Sequence, residues 1–275
     1  MYGKQIRLRR LFPEPRRRLF SVPLDHSVSM GPIDGLEKLE PVAHELQDAG
    51  VDLLIVTKGA VRELAPVAEE LQDGGVDLLV VTKGAVRELA PVLRPNVLLG
   101  VHVSASTSLG TTSDRKVLVG TAEEALALGA DLLSVQVNFG VPHEPEMLSD
   151  LGVAVDACRR LGLPLMCMAY VKKANGGTAD EVRHAARAAA DTGADIVKTS
   201  YPGSEEAFRR LCETTPVPVL IGAGVRLDDE AAFLEIVRGS VRAGGAGICI
   251  GRNLFQRRPL APLARRIATI LHGEP

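Results

Sequence analysis

The sequence predicts an α/β fold, a single (β/α)8 TIM barrel spanning residues 1–275, and three observations carry that expectation. The first is size and composition. A chain of 275 residues, 46% hydrophobic but only 3% aromatic and without Trp, suits one barrel whose core is filled by aliphatic side chains. The second is a recurring join: Gly50-Val51-Asp52, Gly129-Ala130-Asp131 and Gly193-Ala194-Asp195 each precede a short apolar run. Glycine there fits the left-handed position just past a helix end. The third is that no G-x-G-x-x-G follows the first apolar run, which weighs against an open dinucleotide-binding sheet.

Taken in order, the apolar runs place strands near 19–24, 52–56, 97–102, 131–137, 164–169, 194–198, 217–221 and 246–250, with helical patterns between most of them. Two helix starts are explicit. Thr121 is followed by Glu124 and Thr178 by Glu181, the spacing of a capping box. The N-terminal stretch is locally basic (Arg7, Arg9, Arg10, Arg16, Arg17, Arg18) and reads as an arm packed under the barrel. Contact with an anionic ligand or a neighbouring subunit is the competing reading.

One segment is left out of that count. Residues 41–65 and 66–90 are a tandem repeat differing only at His44/Glu69, Ala49/Gly74 and Ile55/Val80. Each copy carries a helix, a strand and the loop Val-Thr-Lys-Gly-Ala-Val-Arg. Two copies are too few for a solenoid, and an eight-stranded barrel has no place for a ninth strand. The expectation is therefore a local duplication, one copy in the barrel wall and the other displaced.

Charge and cysteine usage exclude several classes. A net charge of −2 and a pI near 6.3 give no basic field for nucleic acid. No run reaches the length of a membrane span, and a reduced cytoplasmic setting is expected. Cys158, Cys167, Cys212 and Cys249 are scattered, without metal or redox spacing. His, Asp and Glu do not cluster as metal ligands, so neither a metal nor a cofactor is expected.

Chemistry in such a barrel gathers at the C-terminal ends of the strands. The polar residues there are Asp25 and His26, Lys58 or its duplicate Lys83, His102 and Ser104, Gln136 and Asn138, Tyr170, and Lys198-Thr199-Ser200. Strands seven and eight end in Gly222-Ala223-Gly224 and Gly251-Arg252-Asn253. Such turns let backbone N–H groups approach a phosphate, and Arg252 adds a charge; simple tight turns are the alternative. Lys198 ends a buried strand, where desolvation and nearby cations leave part of its amine uncharged and nucleophilic. A salt-bridged structural lysine is the alternative. Lys58 or Lys83 reads as a partner for substrate charge. Tyr170 neighbours the Lys198 strand and could relay a proton to an imine, unless it is only a rim tyrosine. Asp25 could steer protons or hold substrate hydroxyls, or merely cap the turn before Gly31-Pro32. His26 and His102 are weaker binding candidates.

Three segments then carry a resemblance. Pro23-Leu24-Asp25-His26-Ser27-Val28-Ser29-Met30-Gly31-Pro32, Ala194-Asp195-Ile196-Val197-Lys198-Thr199-Ser200-Tyr201 and the run from Gly247 to Gln256 resemble the archaeal-type class I aldolases. That family includes fructose-bisphosphate aldolases, 2-amino-3,7-dideoxy-D-threo-hept-6-ulosonate synthases and related bacterial enzymes of aminohydroxybenzoate biosynthesis. The resemblance implies a Schiff base on Lys198, acid–base roles for Tyr170 and Asp25, and a phosphate site at Gly251 and Arg252. It also implies no metal and a large homo-oligomer. Met168 stands where the fructose-bisphosphate enzymes have Trp, as in the heptulosonate synthases, and Val171-Lys172-Lys173 replaces the usual Pro-Arg-Gly. The expected reaction joins a dihydroxyacetone phosphate-type ketose phosphate to an aldehyde, aspartate semialdehyde, giving a seven-carbon amino sugar acid. Fructose-bisphosphate cleavage, a non-catalytic phosphosugar-binding barrel and a metal-dependent aldolase are the competing readings.

Overall fold

The apolar runs become parallel strands because each is followed by enough chain to cross back on the outside of the sheet. The computed structural model describes residues 2–12, 18–23, 33–38, 41–42, 45–46, 48–56, 78–82, 98–222 and 227–273. The barrel strands are β1 (Leu19–Pro23), β2 (Leu53–Val56), β3 (Leu78–Thr82), β4 (Leu98–His102), β7 (Leu132–Phe139), β8 (Leu165–Val171), β9 (Ile196–Ser200), β10 (Val219–Gly222) and β11 (Gly247–Cys249). A hairpin, β5 (Ser104–Ala105) with β6 (Val117–Leu118), follows β4. The described helices are α1 (Tyr2–Leu11), α2 (Ala122–Ala127), α3 (Glu144–Leu161), α4 (Ala179–Thr192), α5 (Glu205–Thr214), α6 (Glu230–Arg242), α7 (Arg252–Phe255) and α8 (Ala261–His272).

The sheet closes because β1 pairs in parallel with both β11 and β2. This is the parallel α/β barrel that the sequence predicts, with one correction. Both copies of the repeat lie in the wall, as β2 and β3, so nine strands close the ring among the described residues. The displaced copy expected from the sequence is not found. The physical reason lies in the unit duplicated. Each copy brings its own strand, and the two strands pair at equivalent positions, Leu53 with Leu78 through Val56 with Val81. Adding a whole unit of this kind leaves no unpaired edge.

The joins behave as their sequence implies. Gly50, Gly129 and Gly193 have φ of 80°, 90° and 114°. The Thr121 hydroxyl accepts from the Glu124 N–H, and at α4 the exchange between Thr178 and Glu181 is reciprocal. The aspartates of the joins have a role that the sequence reading did not assign. Asp52 Oδ2 accepts from the Phe20 N–H at 2.7 Å, and Asp195 Oδ2 from the Leu165 N–H at 2.8 Å. Each carboxylate thereby ties the start of its own strand to the start of the strand beside it.

Strand alternation divides the core in two. Phe20, Val22, Val101, Leu133, Val135, Val197 and Ile221 face outward onto the helices. Leu19, Leu132, Met166, Met168, Ile196, Leu220 and Cys249 face inward, joined by Leu8, Leu11 and Phe12 from α1 and its end. The N-terminal helix therefore plugs the lower mouth of the barrel. Its basic residues reach the join aspartates: Lys4 Nζ is 2.9 Å from Asp195 and Arg10 Nη1 is 3.0 Å from Asp131. Among the described residues no helix is long and apolar enough to cross a membrane.

Because the ninth strand arrives as a complete unit, deleting residues 66–90 leaves a continuous eight-stranded ladder and a sequence junction, Ala65–Pro91, equivalent to the natural Ala90–Pro91. The deletion variant is expected to be soluble and to unfold in one cooperative transition, followed by circular dichroism during urea titration. A variant recovered only as aggregate would show that the second copy is integral to closure.

Candidate active site

The inward residues change character from one end of the barrel to the other. The lower layers are Leu19, Leu132, Met166, Ile196 and Leu220. Above them β7, β8 and β9 present Gln136, Asn138, Tyr170, Lys198 and Ser200, two to six residues further along. All of these but the fully buried Asn138 border a cavity of about 550 Å³ at the C-terminal end of the strands. Lys198, Tyr170, Gln136, Ser200, Gly222, Cys249, Gly251 and Arg252 line it, together with Asp114, Lys172 and Lys173.

Lys198 is 6% exposed and sits at the boundary between the two zones. In register it stands between Met168 on β8 and Leu220 on β10, so its neighbours along the ring are apolar. Thr199, which alternation turns outward, anchors the strand by donating from Oγ1 to the Ala169 carbonyl at 2.8 Å. Gly222 determines how closely the upper groups converge. A Cβ added there would lie 3.3 Å from Tyr170 Oη and 3.6 Å from Lys198 Cε. The phenol of β8 and the lysine stem of β9 therefore both pack over the one bare backbone position of β10.

The wall above β7 is held by buried amides. Asn138 is fully buried, donates from Nδ2 to the Asp114 carbonyl at 2.6 Å and accepts from Gln136 Nε2 at 2.9 Å. Ser104 Oγ accepts from the Gln136 N–H at 2.9 Å, sewing the β5–β6 hairpin onto β7. Next to it, the Lys172 N–H bonds to the Phe139 carbonyl at 2.9 Å. Lys173 Nζ is 2.6 Å from Glu181 Oε1. That ammonium and the Thr178 N–H hold the Glu181 carboxyl down at about 2.

On the far side, Gly251 leads into the short helix α7, whose first residue is Arg252. The Arg252 Nε is buried without a hydrogen-bond partner among the described residues. Asn253 Oδ1, buried behind it, accepts from the Leu227 N–H at 2.8 Å and steadies the turn.

Of the sequence candidates, the cavity brings together Lys198, Tyr170, Gly222, Gly251 and Arg252. His102 is not in its lining; its Nδ1 lies 3.1 Å from Ser134 Oγ, a buried hydroxyl of β7. Asp25, His26, Lys58, Lys83 and Gly224 lie outside the described residues. Asp114 was missed, since it belongs to a loop between strands of two residues each, which leave no periodic signal. Cys249, to which the sequence assigned no role, also lines the cavity. Cys158, Cys167 and Cys212 do not, and burial pushes their thiols up to about 12, 12 and 11. Among the described residues no group of three or more His, Cys, Asp or Glu could hold a metal ion.

The family model described as DeoC/LacD family aldolase matches residues 19–257. The chain belongs to that family. It is 34% identical to the 2-amino-4,5-dihydroxy-6-oxo-7-(phosphonooxy)heptanoate synthase of Streptomyces griseus, over 99% of this chain and 91% of the relative. It is also 34% identical to the 2-amino-3,7-dideoxy-D-threo-hept-6-ulosonate synthase of Halobacterium salinarum, over 99% of this chain and 92% of the relative. Among solved structures, a Schiff base-forming fructose-1,6-bisphosphate aldolase superposes with a TM-score of 0.77 at 26% identity, over 98% of this chain and 100% of that one. The protein is a class I, Schiff-base aldolase.

Since Gly222 is where the phenol and the lysine stem meet, Gly222→Val should displace both without disturbing the lower core. Misplacing reacting groups by about 1 Å costs on the order of 10²-fold in rate. The expected result is a fall in kcat of that order with Tm nearly unchanged, checked by steady-state kinetics and thermal denaturation.

Proposed function

We propose that the aldolase joins dihydroxyacetone phosphate to aspartate semialdehyde, with Lys198 as the Schiff-base lysine. The observation that carries this reading is the convergence of the Lys198 stem and the Tyr170 hydroxyl on Gly222 inside one cavity. The Lys198 amine adds to the ketone to give a carbinolamine, which loses water to leave an iminium. The iminium withdraws electrons from the hydroxyl-bearing neighbouring carbon, whose proton is removed to give an enamine. The enamine carbon attacks the aldehyde carbon, a C–C bond forms, and the aldehyde oxygen takes up a proton. Water then releases the product and restores the amine. Tyr170 handles the proton at these steps, with Asp25 as the second acid–base group.

The phosphate is assigned to the end of the cavity formed by β10 and β11. Gly222 and Gly251 line that end and allow close backbone approach, and Arg252 supplies charge. Lys58 or its duplicate Lys83, together with His26, is assigned to the remaining substrate groups, while His102, outside the cavity lining and beside Ser134, is given no substrate contact. The substrate choice rests on two supports. The product in the name of the Streptomyces griseus relative, cut between the carbons bearing its 4- and 5-hydroxyls, yields dihydroxyacetone phosphate and aspartate semialdehyde. Met168, which stands beside Lys198 in the barrel ring, is the position at which the resemblance noted in the sequence aligns this chain with the heptulosonate synthases. The fructose-bisphosphate reading is the second one, favoured by the structural neighbour. A cytoplasmic homo-oligomer completes the proposal.

An aldehyde panel with dihydroxyacetone phosphate decides between the two. The expected result is a seven-carbon amino acid phosphate from aspartate semialdehyde, with kcat/KM exceeding that for glyceraldehyde 3-phosphate. Lys198→Met should lower kcat on the order of 10³-fold or more, as loss of a nucleophile does. Preference for glyceraldehyde 3-phosphate would overturn the substrate assignment, and full activity of the Met variant would overturn the lysine.

A further inference from the structure

The cavity is electrically two-sided, and the side opposite Arg252 has no role in the reaction just described. The strands run β7, β8, β9, β10, β11 around the ring, so Lys198 on β9 lies between the end of β8 and the end of β11. Beyond β11 stands Arg252. Beyond β8 stands Lys172, and Asp114 faces it from the β5–β6 loop, with Lys172 Nζ 4.0 Å from Asp114 Oδ1. Both side chains line the cavity that holds Lys198.

We propose that Asp114 and Lys172 form the subsite for an α-amino acid zwitterion, the far end of the acceptor aldehyde. The proposal rests on the aldol reading above and deepens it. Several features of the structure support it. The backbones of the two residues are fixed, Asp114 by the buried Asn138 amide at 2.6 Å and Lys172 through its N–H to Phe139 at 2.9 Å. Their side chains are 55% and 40% exposed and therefore retain rotamer freedom. At 4.0 Å the pair is too long to be a hydrogen bond, so a ligand exchanges one weak pairing for two short charge-assisted ones. An ammonium on Asp114 and a carboxylate on Lys172 place opposite charges on one carbon, as in an α-amino acid. Lys173, the other cation of this loop, is committed to Glu181 at 2.6 Å. The Asp114 carboxylate also repels a phosphate, which leaves the Arg252 end for the ketose. The product then lies across Lys198 with its phosphate toward β11 and its amino acid group toward β8.

The test measures KM and kcat of the full-length enzyme with dihydroxyacetone phosphate and three acceptors. These are aspartate semialdehyde, succinate semialdehyde (no ammonium) and 3-aminopropanal (no carboxylate). Asp114→Asn is expected to raise KM for aspartate semialdehyde roughly tenfold, the size of a lost charge-assisted bond. For succinate semialdehyde KM should stay within about twofold, as for a remote surface change. Lys172→Met should raise KM for both carboxylate-bearing acceptors and spare 3-aminopropanal. Asp114→Glu should restore part of the preference. A merely structural role would shift all three acceptors alike, and that result overturns the subsite, as does wild-type enzyme that uses all three with equal KM. Wild-type enzyme that forms no product with any of them refutes the aldol reading, and the subsite with it.

Discussion

A lysine side chain carried inside a parallel sheet closed on itself is the constraint on which the rest of this structure depends. Parallel strands feed all their following loops to one end, and the interior below that end must be dry. Leu19, Leu132, Met166, Ile196 and Leu220 fill it, and Leu8, Leu11 and Phe12 seal it from beneath. A lysine can stand inside such a sheet only in the layer where apolar packing gives way to the cavity. Lys198 occupies that layer, between Met168 and Leu220.

The two ends of the barrel consequently do different work. At the lower end the acidic groups are tied to backbone and to α1. Asp195 accepts from the Leu165 N–H and pairs with Lys4, and Asp131 pairs with Arg10. These contacts order strand starts and hold the plug in place. At the upper end, the polar groups border the cavity and are supported from behind. Buried Asn138 positions the Asp114 loop, Thr199 fixes the strand of Lys198, and Gly222 leaves room for two side chains at once.

Much of this was legible in the sequence, for identifiable reasons. A glycine of positive φ followed by an aspartate and an apolar run marks a strand start, and Gly50, Gly129 and Gly193 all adopt that conformation. Lys198 was legible because an amine at the end of an apolar strand demands an explanation. The ninth strand was not, because an eight-fold count was imposed on a chain that had duplicated a whole crossover unit. The β5–β6 hairpin was also hidden, since two-residue strands carry no alternation, and with it went Asp114. The convergence at Gly222 depends on which residues share a ring, and register cannot be read from composition or spacing.

The central claim is that the imine forms on the barrel-interior lysine, and borohydride trapping tests it most directly. The protein is incubated with dihydroxyacetone phosphate, reduced, digested and mapped by mass spectrometry. The account predicts one stoichiometric adduct, on the peptide containing Lys198. An adduct on Lys172 or Lys173 instead, or none on a protein that still turns over the ketose, would contradict it.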